Sequence, residues 1–462
     1  MRGVSSVSDN SGWKKLEGVL GAEHFTRDTA FLQEAGWEGA LPKAFVTPTS
    51  AEQLGEVMRL ARGERWKVAP AGNGTKQRMG GTPEGVDLVI SLRCLNRVTD
   101  YQPADLTVSV EAGASIAALA SVLREHGQML PLDVPFGARA TLSATVGGVM
   151  ATNSSGPRRL GYGSVRDIAI GVRFVTSDGK QAKGGGKVVK NVAGYDMMKL
   201  LIGSFGTLGI MTGATFKVFP IPPASVTLVL GFGSAKQAFG ARSRILNSHL
   251  APQALDLVDS AAGALMSVDA LSESPFSLVV RAAGPEAMVE RVRRELPLLV
   301  RHEGGNMVAC WTGDAEEKLW SAIQEITPTI LGRSPDAAVV KVSVPLSEML
   351  QIVAGAQHAA AENGLAIAIL ARAGTGIVYC HLLPPSGAGD TAMERTAKAC
   401  ETLLSEAGRA GGYGVIEWCA SEMKRRTSLW APLGDDFFLM QRLKVQMDPE
   451  GLLNPGRLYG RI

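Results

Sequence analysis

The sequence predicts an α+β protein of two units, and three observations carry that prediction. Short apolar strand-like runs alternate with helix-patterned stretches along most of the 462 residues. Two glycine-rich loops follow or interrupt such runs in the first half. A proline run, Pro220-Ile221-Pro222-Pro223, then separates that half from a second series of strands and helices. The expected division is a helical segment over residues 1–40, a first α+β unit over 41–222, a second over 223–430, and a returning tail over 431–462.

The elements follow in order. Trp13 to about Leu20 and Thr29 to Ala35 are helical. Ala44-Phe45-Val46 is a strand, and Ser50 is the N-cap of a helix carrying Leu54, Val57, Met58 and Leu60 at helical spacing. Trp66 to Pro70 is a strand that delivers the first glycine loop. Val86 to Ser91 and Thr107 to Val110 are strands, and Ser115 opens a helix to about His126. Ile168 to Val175 leads into Ser177-Asp178-Gly179-Lys180, a hairpin turn. Gly209 to Thr212 and Ala214 to Phe219 close the first unit.

Beyond the prolines, strands are expected at Val226–Leu230, Phe276–Ala282, Val339–Val344, Leu365–Leu370 and Gly376–Leu382. Helices are expected at Ala235–Leu246, Glu286–Val300, Ser347–Glu362 and Thr391–Leu404. A similar order recurs within this unit, which predicts an antiparallel sheet with helices on one face. The stretch 431–462 reads as a short Pro- and Gly-rich tail.

Composition excludes several classes. A chain that is 45% hydrophobic at this length fills two or three cores. No apolar run is long enough for a bilayer span, and Met1-Arg2-Gly3-Val4-Ser5-Ser6 lacks the order of a secretory signal. A net charge of +3 gives no pull toward nucleic acid, and Lys424-Arg425-Arg426 reads as a solvated or structural patch. Cys94, Cys310, Cys380, Cys400 and Cys419 are scattered with no CxxC pair, so neither a disulfide framework nor an iron–sulfur cluster is expected from this chain alone. The expected compartment is the cytoplasm.

The first loop is Pro70-Ala71-Gly72-Asn73-Gly74-Thr75-Lys76, closed by Gly80-Gly81. The second is Ala144-Thr145-Val146-Gly147-Gly148, followed by Asn153-Ser154-Ser155-Gly156. Gly72-Asn73-Gly74 has Gln77 where a dinucleotide fingerprint needs its third glycine, and no segment supplies the Walker pattern. Glycine still lets backbone N–H groups approach a pyrophosphate closely. Either loop alone reads equally as a tight turn.

The first loop resembles the pyrophosphate loop of the FAD-linked oxidases of the vanillyl-alcohol-oxidase, or PCMH, type. The Ala144–Gly148 loop agrees in order and spacing, as do Gly161-Tyr162-Gly163-Ser164-Val165-Arg166-Asp167, Lys190-Asn191-Val192-Ala193-Gly194-Tyr195-Asp196 and Gly203 to Ile210. The tail Asp448-Pro449-Glu450-Gly451-Leu452-Leu453-Asn454-Pro455-Gly456-Arg457 completes the set. The Lys190 to Asp196 element is most similar to the FAD-binding subunits of glycolate oxidases.

The resemblance implies an FAD domain of two α+β subdomains plus a second α+β domain. FAD pyrophosphate would lie on residues 71–75. Pro135, the stretch Thr141 to Gly148, and Asn153, Ser155 and Gly156 would run along the pyrophosphate and ribityl chain. The Gly161, Val165 and Asp167 motif belongs to the same cofactor set. Gly209 and Ile210 would meet the adenosine or flavin, and the tail would return Asn454 and Arg457. Relatives with covalent FAD carry a histidine in the first loop. Here the position is Thr75, and no histidine lies between His24 and His126, so non-covalent FAD is expected.

The implied activity is oxidation of a small 2-hydroxy acid, glycolate or D-lactate, with electrons passed through an iron–sulfur partner beside a second FAD subunit. Membrane association would be at most peripheral, through partners. Such chemistry needs a cation for the carboxylate and a base or metal for the hydroxyl proton. Lys341 and Arg372 are the candidate cations, Lys341 standing where glycolate oxidase subunits tend to carry arginine. His381, in Tyr379-Cys380-His381, is the candidate base, although a histidine ending an apolar strand is more often a satisfied core residue. With only Glu417 near it in order, His381 makes an under-coordinated metal site, so no metal is expected. A non-catalytic FAD subunit and a self-sufficient FAD-dependent dehydrogenase are the alternatives.

Overall fold

The computed structural model describes residues 5–35, 37–137, 143–186, 194–385, 387 and 389–462. Its N-terminal helix, Ser5–Leu20, packs on the helix Ala51–Gly63 and stacks Trp13 on Trp66 with centroids 3.7 Å apart. Ala51–Gly63 is capped by the Ser50 hydroxyl, which accepts from the Gln53 N–H, and it buries Leu54, Val57, Met58 and Ala61. This helix lies between Ala44–Val46 and Val68–Ala71, both of which pair in parallel with Leu88–Ser91 in a four-stranded sheet. Parallel neighbours need such a crossover.

A second, five-stranded sheet is antiparallel, in the order Val98–Gln102, Thr107–Glu111, Ile210–Lys217, Ala169–Val175 and Gln181–Gly185. The Asp178-Gly179 hairpin joins the last two, with Gly179 at a φ of 77°. The two strands expected around residue 213 are one strand with a bulge between Met211 and Gly213. Val98–Gln102 escaped the sequence reading because its Thr-Asp-Tyr-Gln edge is polar and only partly buried.

The third sheet has eight strands, all paired antiparallel, in the order Asn306–Trp311, Ala224–Phe232, Phe276–Gly284, Ala254–Asp259, Ala366–Arg372, Ile377–Leu383, Ala338–Ser343 and Tyr413–Trp418. It is a βαββαβ unit followed by a second with mirrored order, meeting where Leu257 and Val258 pair with Ala371 and Leu370. This explains the recurring order in the sequence.

The expectation of helices on one face is corrected. Ala235–Leu246, Glu286–Arg301, Met349–Glu362 and Gly389–Arg409 bury one face. Ser260–Met266, Gly313–Gln324 and Ile326–Arg333 bury the other through Leu319, Trp320, Ile323, Ile326 and Ile330. Both Leu228 and Val229 are therefore fully buried, and their strand reads as continuously apolar.

The tail needs correcting too. It contains the helix Phe437–Met447, which leaves Phe438, Leu439, Leu443 and Val445 exposed and so shows no one-sided apolar pattern. The chain then returns to the four-stranded sheet, where Leu453 bridges Val68 and the Asn454 N–H donates to the Val68 carbonyl.

Candidate functional site

The two glycine loops touch. A Cβ on Gly72 would stand 2.0 Å from Thr145 Oγ1, so only glycine fits there. Thr145 caps the helix Val146–Ala151, its hydroxyl accepting from the Gly148 N–H at 3.3 Å. Asn73 Nδ2 donates to the Ser143 carbonyl at 2.9 Å, and Lys76 Nζ donates to Ser154 Oγ at 2.7 Å. The backbone N–H groups of Gly72, Asn73, Gly74 and Thr75 make no hydrogen bond to any described residue.

These donors line a cleft open to solvent at the junction of the two loops and the returning tail. Pro70, Ala71, Lys76, Thr145, Gly147, Gly148, Gly209, Ile210, Asn454 and Arg457 line it as well. Phe205 and Gly206 of the Gly203 to Ile210 motif complete much of the wall with Trp37, Leu92, Ala112 and Met211, which sequence reasoning missed.

The tail fixes the first loop from behind. Arg457 donates to the carbonyls of Gly81 at 3.2 Å, Lys76 at 3.3 Å and Gln77. Burial lowers its pKa to about 10, against the pull of Glu38, whose carboxylate lies 3.7 Å away. Asn454 Nδ2 donates to the Phe205 carbonyl at 2.6 Å, while its Oδ1 is buried with no partner among the described residues. Glu38 also pairs with Lys424 at 2.7 Å, and Lys424 donates to the Arg78 carbonyl at 2.5 Å. Lys424 is therefore a buried ion-pair member that ties the second unit to the first.

An orphaned acceptor, four unpaired N–H donors and a close glycine contact fit a polyanionic dinucleotide such as FAD. The N–H row would receive its pyrophosphate.

Other residues of the expected cofactor set lie outside this cleft. Gly80 and Gly81 pack beneath the tail, where added Cβ atoms would meet the carbonyl oxygens of Arg457 at 2.7 Å and Gly456 at 2.2 Å. Ala144 and Val165 are core residues. Asp167 accepts from the Ser164 N–H and hydroxyl, both at 2.7 Å. The Gly161 N–H donates to the Gln253 carbonyl, and Gly156 packs on Asp133. Asn153 faces a shallow surface depression with Arg159 and Ser343. Thr141 and the Lys190 to Ala193 stretch lie outside the described residues.

Pro135 and Ser155 instead line a second, tight cavity between the two units. Lys341, Arg372, Tyr379, Glu417, Trp418 and Lys76 face it. Lys341 Nζ is 3.1 Å from Glu417 Oε1. Burial opposes the Lys341 charge, but Glu417 overrides it and holds the ammonium above the usual lysine range. Arg372 forms a buried ion pair with Asp256, whose carboxyl burial pushes up to about 6 despite the guanidinium. The two cations flank the Tyr379 ring, 5.8 and 5.7 Å from its centroid.

His381 lies inside the sheet rather than in this cavity. Its Nδ1 is 3.1 Å from the Ala368 carbonyl and its Nε2 is 2.9 Å from Thr327 Oγ1. The geometry assigns Nδ1–H as donor to Ala368, with Nε2 accepting from Thr327. Burial pushes its pKa down to about 4, so it is neutral and satisfied. Among the described residues, no three His, Cys, Asp or Glu side chains gather as a metal site.

Comparison with known proteins agrees with this geometry. A family model described as "FAD binding domain" matches residues 42–185, and one described as "FAD linked oxidases, C-terminal domain" matches 221–458. The chain is 27% identical to glycolate oxidase subunit GlcD of Bacillus subtilis, covering 91% of this chain and 90% of that one. It is 28% identical to glycolate oxidase subunit GlcE of Escherichia coli, covering 89% and 98%. A mitochondrial D-lactate dehydrogenase (cytochrome) of Arabidopsis thaliana is 27% identical, covering 90% and 73%. Among solved structures, p-cresol methylhydroxylase with substrate bound superposes with a TM-score of 0.79 at 17% identity, covering 98% and 97%, a likeness of fold.

Proposed function

This chain belongs to the FAD-linked oxidases, and we propose that it oxidises the CH–OH group of a small 2-hydroxy acid, glycolate or D-lactate, as a subunit of a larger assembly. In this reading residues 41–222 and the returning tail hold FAD non-covalently, and 223–430 supply the substrate side. Bound FAD supplies a two-electron acceptor. The chain's own residues bind, orient and exclude water.

The observation that carries this reading is a cationic cavity placed against the cofactor cleft. Lys76, Lys341 and Arg372 face it, and of these Lys341 is paired with Glu417 and Arg372 with Asp256, whereas Glu417 and Glu325 act on Lys76 only from beyond contact distance. The carboxylate of a hydroxy acid would give Lys76 the contact counter-charge it lacks among the described residues. Tyr379 and Trp418 cover the cavity and lower its dielectric, which strengthens each remaining charge contact.

Glycolate oxidase subunits among the relatives support an assembly. Cys380, Cys400 and Cys419 are buried, Cys94 and Cys310 are partly so, and the described residues gather no metal-binding cluster, which supports a partner as the holder of an iron–sulfur centre in the electron path. No described helix is long and apolar enough to cross a membrane.

Anaerobic addition of glycolate or D-lactate to the purified flavoprotein tests the proposal. Bleaching of the oxidised flavin band supports it, and bleaching only with a co-purified cysteine-rich partner supports the assembly form. A second reading, an FAD-bearing subunit without its own substrate chemistry, draws on the enclosure of His381. No bleaching under either condition would favour that reading.

A further inference from the structure

Among the described residues, Lys76 is the side chain that lines both the cofactor cleft and the interdomain cavity. It is 8% exposed, and its Nζ donates to Ser154 Oγ at 2.7 Å and Thr152 Oγ1 at 3.4 Å. An ammonium has three donors, so one remains.

The neighbouring cations are already matched. Lys341 has Glu417, Arg372 has Asp256, and Arg457 has Glu38 and three carbonyls. No carboxylate of a described residue lies within 4 Å of Lys76 Nζ. A buried ammonium with no carboxylate in contact is unfavourable unless a ligand brings one. The shorter of its two bonds goes to Ser154, which lines the interdomain cavity and not the cleft, so the ammonium is held on the cavity side.

We propose that Lys76 receives the carboxylate of a small organic acid in the interdomain cavity. This rests on the hydroxy-acid reading and names the group that holds the acid end. The cations expected from sequence, Lys341 and Arg372, then act as paired walls, and the anion-receiving charge comes from the first glycine loop.

The electrostatics agree. Burial lowers the Lys76 pKa to about 7, with Glu417 and Glu325 raising it and Lys341 lowering it. An arriving carboxylate favours the charged form, so binding at pH 8 takes up a proton.

The test uses the FAD-loaded protein and oxalate, which has no C–H bond to oxidise. Calorimetric titration at pH 8 in two buffers of different ionisation enthalpy reads affinity and proton uptake together. Wild type is expected to bind oxalate with proton uptake approaching one. K76M, titrated per mole of bound FAD, is expected to bind about ten- to a hundredfold more weakly. K76R, permanently charged, is expected to retain binding while losing the proton uptake.

Unchanged oxalate affinity in K76M would overturn the proposal, leaving the hydroxy-acid reading intact if D-lactate still bleaches the flavin. Loss of FAD from K76M and K76R alike would assign Lys76 to the cofactor and also overturn it. A wild type that neither binds oxalate nor is reduced by glycolate or D-lactate would remove the functional reading and the inference together.

Discussion

Replacing Arg457 by methionine asks whether the returning tail holds the cofactor loop in shape. The buried guanidinium serves carbonyls of Lys76, Gln77 and Gly81 and lies 3.7 Å from Glu38. Hydrogen bonds to a charged group contribute about 1.5–3 kcal/mol each, but three on one group do not add. Removing one member of a buried charged cluster costs about 3–5 kcal/mol. Glu38 keeps its Lys424 partner at 2.7 Å, which favours the lower end. If the loop binds FAD only when the tail is docked, 3 kcal/mol weakens FAD by about a hundredfold. Fluorescence titration of the apoprotein with FAD measures this, alongside the flavin-to-protein ratio after gel filtration. Arg457→Lys should fall between, because a point charge cannot fork to three carbonyls. An Arg457→Met protein binding FAD within twofold of wild type would refute the tail's role.

Gly72→Ala should yield a folded protein with about tenfold less flavin, because its Cβ would meet Thr145 Oγ1 at 2.0 Å; circular dichroism and the visible flavin band check this. Acid precipitation should leave all flavin in the supernatant, as Thr75 offers no imidazole for attachment. His381, depressed to about 4 in the fold, contributes stability that is full above pH 6.5 and lost as pH falls toward 4. Urea midpoints across that window should therefore fall less steeply in His381→Gln, by about 3 kcal/mol in all. Glu38→Gln should destabilise by about 3 kcal/mol, read as a lower thermal midpoint, because it strands the buried Lys424 ammonium.

The sequence made the cofactor half legible because glycine and proline constrain backbone directly. Gly72, Gly147 and Gly148 were found as loop residues, and Asn454 and Arg457 as their distant complement, through motif order. Residues such as Trp37, Leu92 and Met211 carried no such mark, since they reach the cleft only through tertiary packing. In the second unit, Lys341 stood out as a charge in an apolar strand, and Glu417 between Ile416 and Trp418 is the matching signal on the neighbouring strand. Tyr379, opposite Lys341 in the register, was passed over for His381 because aromatic residues in strands ordinarily fill cores. The helices Gly313–Gln324 and Ile326–Arg333 were missed because a Thr-Pro step and a short connection blur their period.

The long return path from Lys76 to Arg457 has a consequence for biogenesis. These contact partners are separated by 381 residues, which a ribosome adds in about twenty seconds to just over a minute. The first glycine loop emerges early but lacks its posterior brace until the tail is made. If FAD binds only the braced loop, capture waits until residue 457 has been made, and the nascent first unit spends that interval as an unloaded receptor.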